Sequence, residues 1–190
     1  MVNRMNSPTF PHITTERLTL KLLEPKNGDL MVRFRLENRK HLTAWEPLRP
    51  AEFFTSGFWD MQLRHVIQEF REERSVCLVI MDPDQTEVLG VCNFTYIQKG
   101  TFLACHLGYA MAEKHQGQGF MSEALRASID YMFNDFGLHR IMANYMPCND
   151  RSARVLERLG FVIEGKAKGF LQINGRWEDH ILTSLVNPDD

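Results

Sequence analysis

The sequence lacks the features that mark membrane, secreted, metal-binding and nucleic-acid-binding proteins. It has no apolar run near the ~20 residues that a membrane-spanning helix requires, and residues 1–6 lack the apolar stretch of a signal peptide. No Cys-x-x-Cys pair is present, which argues against a structural zinc site. The net charge is −2 and no basic block occurs, so neither direct nucleic-acid binding nor a membrane partner is expected.

Cysteine usage and length suggest a reduced, single-domain protein. Cys77, Cys92 and Cys105 lie in apolar segments with the pattern of strands, so we expect reduced side chains in the core. This usage predicts a cytoplasmic protein that holds no metal. The 190 residues, 44% of them hydrophobic, predict one domain over residues 1–190 that begins with a loose arm at residues 1–13.

Hydrophobic spacing in the first half predicts an α+β fold. Residues 16–23 alternate apolar and polar, which is typical of a strand with one buried face. Helices are predicted over about residues 28–38 and 51–74. Apolar segments joined by short turns then predict an antiparallel meander over residues 76–81, 88–97 and 101–111.

The spacing changes to a helical one after residue 120. An apolar face with intervals of four, four and three residues predicts a helix through Met121, Leu125, Ile129 and Met132. A strand follows at residues 140–146, and Asn149 or Asp150 is placed to cap the next helix. Asn174-Gly175 predicts the tight turn of a final hairpin.

The segment Gln116-Gly117-Gln118-Gly119 falls where a strand turns into a helix. Two glycines allow a close backbone approach to a ligand, and the amides of a first helical turn attract anions such as a diphosphate. The third glycine of a dinucleotide loop is replaced by Ser122, and the lysine of a Walker loop is missing. On its own the loop fits a pyrophosphate site and a plain glycine-rich turn equally well.

Further segments carry a resemblance that reaches along nearly the whole chain. They are Thr15–Leu18, Trp45-Glu46-Pro47, Gly90–Phe94, Leu107-Gly108-Tyr109, His139–Pro147, Arg158–Phe161 and Gly175-x-Trp177-x-Asp179-His180. With these segments and the glycine loop, the chain resembles the GNAT acetyltransferases, and within them the RimJ type of ribosomal-protein alanine N-acetyltransferase. Met121 stands where the general loop pattern has Gly or Ala, a departure that RimJ-like and RimL-like members share.

The resemblance implies a fold, a reaction and a partner. The implied fold is a mixed, mostly antiparallel seven-stranded sheet that is splayed between strands 4 and 5 and flanked by helices. The implied reaction transfers acetyl from acetyl-CoA, without a metal, to the N-terminal alanine of a small-subunit ribosomal protein, by direct attack in a ternary complex. Ribosome assembly is the implied setting, and the oligomeric state stays open.

The same resemblance assigns the donor site. The backbone of residues 109–111 is expected to bind the pantetheine amides like an added strand, and the amides of residues 117–122 to hold the pyrophosphate. Asn149 is expected at the pantetheine or thiol end, with a plain helix cap as the alternative. The implied cofactor-binding residues are Tyr109, Ala110, Met111, Gln116, Gly117, Gln118, Gly119, Phe120, Met121, Ser122 and Asn149.

Candidate catalytic residues follow from what amide formation needs. Many GNAT enzymes place a tyrosine acid at the position of Leu156, which has no proton to donate. Ser152 lies one turn earlier on the same helical face, and we hypothesise that it hydrogen-bonds the sulfur and helps to protonate it. Glu46 is the first candidate for binding the acceptor ammonium or relaying its proton. The other candidates are His106, Asp179 and Tyr145.

Two alternatives to this function remain open. The first is a GNAT enzyme that acts on another amine, either a small molecule or a different protein N-terminus, because acceptor loops vary while donor sites stay similar. The second is a ribosome-assembly or regulatory protein that uses the fold for binding alone.

Overall fold

The computed structural model describes residues 9–190, and residues 1–8 lie outside that description. In chain order the strands are β1 (His12–Thr14), β2 (Thr19–Lys21), β3 (Val76–Met81), β4 (Val88–Gln98), β5 (Ala104–Met111), β6 (Arg140–Tyr145), β7 (Val162–Ile173) and β8 (Arg176–Val186). The α-helices are α1 (Gly28–Glu37), α2 (Arg39–Leu42), α3 (Ser56–Arg71), α4 (Phe120–Asn134) and α5 (Asp150–Arg158). Short 3-10 turns lie at Pro25–Asn27, Ala51–Phe54 and Glu113–His115.

Residues 9–190 form one sheet of eight strands in the order β1-β2-β3-β4-β5-β6-β8-β7. Neighbouring strands are antiparallel, apart from the parallel pair β5 and β6. The predicted meander is β3–β4–β5, and Asn174-Gly175 joins β7 to β8 as predicted. The expected mixed, mostly antiparallel sheet with flanking helices is therefore confirmed.

The N-terminal part of the sheet differs from the expectation of seven strands. The backbone N–H of Thr15 donates to the carbonyl oxygen of Leu18 over 2.9 Å, which reverses the chain inside the segment expected to be one strand. His12–Thr14 then pairs antiparallel with Thr19–Lys21. The expected loose arm is thus wrong for residues 12 and 13, because the reversal supplies them with a strand partner, and its residues 1–8 lie outside the described part of the chain.

The parallel pair β5–β6 is short and opens into a cleft. Only Ala104–His106 pairs with Arg140–Met142, whereas β5 stays paired with β4 as far as Met111. Residues 107–111 of β5 therefore have no pairing with β6 along one edge of the strand. Along the other edge they remain paired with β4. The splay expected between strands 4 and 5 lies here between the fifth and sixth strands, because β1 adds one strand at the N-terminal edge.

The helices cover the two faces of the sheet with the predicted apolar stripes. All four members of the α4 stripe are buried, namely Met121, Leu125, Ile129 and Met132. On the other face, α1 and α3 pack Phe34, Trp59 and Leu63 against Val79 and Val91. α3 begins at Ser56 rather than near residue 51, because the hydroxyl of Thr55 caps it by accepting from Phe58 N over 3.3 Å.

Gly90 fixes the distance between β4 and β5 beside the cleft. A Cβ at this position would lie 2.6 Å from the carbonyl oxygen of Ala110, and the backbone cannot relieve that contact without moving β5. We expect Gly90→Ala to lower the free energy of unfolding by about 1–3 kcal/mol, as overpacked sites do. Urea unfolding measures this change, with Gly108→Ala as the matched control, because a Cβ there meets nothing within 4 Å. Equal stability of the two variants would contradict the prediction.

Candidate functional site

The cleft between β5 and β6 leads into a cavity of 850 Å³. It lies between the end of β5, the N-terminus of α4 and the first turns of α5. Eleven residues proposed from the sequence line it together: Tyr109, Ala110, Met111, Gln116, Gly117, Gly119, Phe120, Met121, Ser122, Asn149 and Ser152. The structure therefore brings most of the proposed site into one place, although Gln118 and Glu46 are not among the lining residues.

The glycine loop has the backbone of an anion site. Gly117 and Gly119 have φ angles of 76° and 82°, in the left-handed region that favours glycine. Gly119 is the N-cap of α4, and no side chain caps the helix at that residue. The first-turn amides of α4 therefore point toward the cavity without intrahelical partners, where the helix dipole favours negative charge.

Arg17 anchors this loop from the N-terminal segment. Its guanidinium donates to the carbonyl oxygen of Gln118 over 3.0 Å and lies 4.6 Å from the ring centroid of Phe120. It also forms a salt bridge with Glu123 in the first turn of α4, at 2.6 Å. The Thr15 hydroxyl donates to the same carboxylate over 2.6 Å, so contacts from two residues tie the N-terminal segment to the start of α4.

The Glu123 carboxylate is held in its charged form. Burial alone would raise its pKa, but hydrogen bonds from Thr15 and Arg17 and the charge of Arg17 outweigh burial and hold the pKa below its usual range. An acidic residue in the first turn of a helix is also favoured by the helix dipole. Because Arg17 contacts Gln118 and Phe120 as well, the same ion pair supports the loop that surrounds the anion site.

The Gln116 side chain links two walls of the cavity. Its amide nitrogen lies 2.8 Å from Nε2 of His41 at the end of α2, and its amide oxygen accepts from Arg151 on α5. Gln118 faces elsewhere and donates to the carbonyl oxygen of Lys114 over 3.0 Å. Gln116 therefore contributes a side chain to the cavity, whereas Gln118 contributes its backbone to the loop.

The cavity wall formed by α5 is basic. Arg151, Arg154 and Arg158 are spaced three and four residues apart on the helix, and all three line the cavity. The acidic lining residues are Glu113 and Asp150, so guanidinium groups exceed carboxylates among the lining side chains. This balance suits a ligand that carries several phosphates.

Two hydroxyl groups meet where β5 approaches α5. The Tyr109 hydroxyl lies 2.6 Å from Oγ of Ser152, and Asn149 Oδ1 accepts from Ser152 N over 3.1 Å. Asn149 thus caps α5, as the sequence suggested, and also lines the cavity. Leu156 is buried in the core, so no acidic group from that position reaches the cavity.

Glu46 belongs to a buried ion pair beside the cavity. Its Oε1 lies 2.7 Å from Arg35, a guanidinium that packs against the rings of Phe53 and Trp59, and its Oε2 lies 3.4 Å from Arg49. Burial lowers the pKa of Arg35, and the charge of Glu46 opposes that effect.

The Glu46 backbone joins this loop to the β7–β8 hairpin. The Glu46 carbonyl accepts from the backbone N–H of Asn174 over 2.9 Å at the hairpin turn. The neighbouring residue Trp45 lines the cavity. The loop is therefore held between α1, through the Arg35 ion pair, and the last hairpin.

The remaining candidates do not line the cavity. His106 lies on β5 within the pairing to β6, and burial lowers its pKa. Asp179 pairs with Lys166 at 3.0 Å on the β7–β8 hairpin and accepts from the Gly169 amide. Tyr145 ends β6, opposite Ile181 of β8.

The sequence reasoning missed several contributors to the site. Arg17 and Glu123 lie 106 residues apart, and no local pattern connects them. The contact of the Tyr109 side chain with Ser152 was also missed, because only the backbone of Tyr109 was considered. The arginines of α5 could have been found, since their spacing places them on one helical face.

Comparison with known proteins assigns this arrangement to a family. The profile described as "Acetyltransferase (GNAT) domain" matches residues 17–162. The chain is 43% identical to the "[Ribosomal protein uS5]-alanine N-acetyltransferase" of Escherichia coli, covering 98% of this chain and 95% of that protein.

None of the helices within residues 9–190 has the length and apolar character needed to cross a membrane. The same residues contain no group of His, Cys, Asp and Glu side chains that could hold a metal ion.

Two solved structures superpose on nearly the whole chain. The ribosomal-protein-S5-alanine acetyltransferase of Vibrio fischeri superposes with a TM-score of 0.90 at 38% identity, covering 94% of this chain and 98% of that one. RimJ of Mycobacterium smegmatis, in complex with CoA-disulfide, superposes with a TM-score of 0.86 at 26% identity, covering 96% and 89%.

The ion pair beneath the glycine loop yields a test of both stability and donor binding. We expect Glu123→Gln to lower the free energy of unfolding at pH 7 by about 1 kcal/mol, the range for an exposed charged hydrogen bond, and to raise the KM for the ligand of the loop. Because the folded pKa is depressed, the difference from wild type is complete above the unfolded pKa, about 4.3, and disappears as pH falls through the folded value. Denaturant unfolding across pH measures it. The exposed neighbour Glu16→Gln serves as control, and a pH-independent difference would count against the assignment.

Proposed function

The chain belongs to the GNAT acetyltransferase family and is an acetyl-CoA-dependent N-acetyltransferase, and we propose that its acceptor is the N-terminal alanine of ribosomal protein uS5. The observation that carries this proposal is the identity with the E. coli enzyme, which extends over 98% of the chain. The aligned region includes the loop around Glu46 and the β7–β8 hairpin as well as the donor loop. A similarity confined to the donor loop would not support an acceptor, because one donor site serves many acceptors.

The donor side of the cavity fits each part of acetyl-CoA. The amides of residues 117–122 hold the pyrophosphate at the start of α4, and the arginines of α5 add positive charge. The edge of β5 that leaves β6, at residues 109–111, offers backbone groups to the pantetheine amides. With the ligand in this direction, we expect the thioester near Asn149 and Ser152, which line the cavity at α5.

The reaction proceeds by direct attack of the acceptor amine on the thioester carbon in a ternary complex. A free α-amine has a pKa of about 7.7–8.0, so a neutral fraction is already present at pH 7. After attack, the tetrahedral intermediate collapses, the C–S bond breaks and its electron pair passes to sulfur. Ser152 hydrogen-bonds that sulfur and helps to protonate it. Leu156 cannot do this, because its buried side chain has no acidic group.

Glu46 serves the acceptor ammonium in this scheme. Arg35 and Arg49 already contact both of its oxygens, so the carboxylate is held in a fixed position. The geometry therefore favours binding and orienting the ammonium over taking its proton, which passes to water. The hydrogen bond between Glu46 and Asn174 keeps this loop against the β7–β8 hairpin while the acceptor enters.

The cell compartment follows from the acceptor. Ribosomal proteins are made and assembled in the cytoplasm, so we place the reaction there, at or before ribosome assembly. The four cysteines are free, in keeping with a reducing compartment. The acceptor is a polypeptide terminus, so the reaction requires no direct contact with RNA.

The acceptor assignment predicts one acetylated terminus. We expect mass spectrometry of ribosomal proteins from cells without this protein to show uS5 lighter by one acetyl group. Purified protein should restore the acetyl group on a uS5 peptide that begins with alanine. The matched control peptide has a blocked α-amine and keeps its lysines, and it should stay unmodified.

Two other outcomes identify the alternatives. Acetylation of a different amine, with uS5 unchanged, would replace the proposed acceptor but keep the enzyme. The binding-protein alternative predicts a cellular role that survives Gly119→Val. That substitution should abolish acetyl-CoA binding, because the φ of 82° at Gly119 excludes a β-branched residue.

The role of Glu46 predicts a selective loss on the acceptor side. Glu46→Gln should lower kcat/KM for the peptide by about tenfold, the effect of losing one charged hydrogen bond, while the KM for acetyl-CoA stays unchanged. Initial rates at varied peptide and acetyl-CoA concentrations measure both constants across pH. Asp60→Asn, which removes an exposed carboxylate paired with Arg64, is the control. Wild-type kcat/KM in the Glu46 variant would remove this residue from the mechanism.

A further inference from the structure

The thiol end of the cavity contains a phenol that comes from a strand. Tyr109 projects from β5 and Ser152 from α5, and their hydroxyl oxygens lie 2.6 Å apart. Both residues line the cavity, and 43 residues separate them in the sequence. A phenol thus reaches the Ser152 hydroxyl from the opposite wall, although α5 carries leucine at position 156.

Two directions are open to this hydrogen bond, because either hydroxyl can be the donor. The Tyr109 oxygen lies 2.6 Å from Oγ of Ser152 and 3.3 Å from the Ser152 carbonyl oxygen, so the shorter contact is to the hydroxyl. Burial raises the pKa of Tyr109 to about 12, so the phenol is neutral and able to donate at physiological pH. When Tyr109 donates to Ser152 Oγ, the serine proton is free to point into the cavity.

We propose that Tyr109 is a positioning residue for thiolate departure, which donates to Ser152 and so directs the serine proton at the sulfur of CoA. This inference rests on the proposed function in placing the sulfur beside Ser152. When the C–S bond breaks, its electron pair passes to sulfur, and the chain of two hydroxyls stabilises the negative charge. Hydrogen bonds in such a chain strengthen one another.

The proton balance of the step closes without another reactant. The attacking ammonium releases two protons to water, one before attack and one from the tetrahedral intermediate. The sulfur takes one proton back through its contact with Ser152 and solvent, and the other remains in solution. Tyr109 is neutral before and after the step, so it changes the rate without being consumed.

The bound CoA thiol provides a measurement that needs no acceptor. In the binary complex with CoA, the ultraviolet absorbance of the thiolate against pH gives the pKa of the bound thiol. We expect Tyr109→Phe and Ser152→Ala each to raise this pKa by roughly one unit relative to wild type, the scale of a lost hydrogen bond to the charged form. Comparison among variants is needed, because the charged residues that line the cavity are the same in all of them.

Kinetics supply the second measurement. Tyr109→Phe should lower kcat about tenfold with little change in the KM for acetyl-CoA, because the backbone at residue 109, and not the phenol, binds pantetheine. The double variant with Ser152→Ala should be no slower than the slower single variant, since residues that act as a unit are not additive. Tyr131→Phe is the matched control, because it removes a phenol that lies on α4 beside Phe136.

The outcomes separate this inference from the proposed acceptor. A wild-type thiol pKa and kcat in Tyr109→Phe would overturn the hydroxyl pair, and so would full additivity of the two substitutions. Should Tyr109→Phe fail to bind CoA, an unchanged thiol pKa in Ser152→Ala would still overturn it. If wild type leaves the uS5 peptide unmodified, the proposed acceptor fails, while the CoA thiol titration still decides the role of Tyr109.

Discussion

The separation of β5 from β6 after three residue pairs is the constraint on which the site depends. Had the parallel pairing continued to Met111, the backbone groups of residues 107–111 would be used within the sheet. Because β5 stays paired with β4, the strand is rigid on one edge and available on the other. The opening is therefore a gap in hydrogen bonding that the rest of the sheet keeps in place, and in the function proposed above the cofactor completes it as an added strand.

We propose that the gap serves as a binding site because hydrogen-bond donors of different charge lie at its two ends. At the outer end, the first-turn amides of α4 and the arginines of α5 favour phosphate. Arg17 holds the glycine loop in place and is not one of the residues that line the cavity. At the inner end, the neutral hydroxyls of Tyr109 and Ser152 lie where we propose the thioester to be. Positive charge thus lies where the ligand is an anion, and neutral donors lie where charge appears only during the reaction.

Local patterns were sufficient for the elements but not for their contacts. The α4 stripe and the Asn174-Gly175 turn could be predicted because side-chain periodicity and turn chemistry act over a few residues. The reversal at Thr15 was missed because β1 has three residues, too few to show an alternating pattern. The ion pair of Glu46 with Arg35 and the contact of Tyr109 with Ser152 arise only when separate elements pack, so no spacing rule reveals them.

The order of strands in the sheet also sets an order in time. β8, the last strand to be synthesised, lies between β6 and β7 and pairs with both. Until it is made, β6 has only its three-residue parallel pairing with β5, and the loop at Glu46 lacks its contact with Asn174. A growing chain can therefore assemble β3 to β5 from local antiparallel pairings, whereas β6, the second wall of the cleft, gains its main pairing only when synthesis is almost finished.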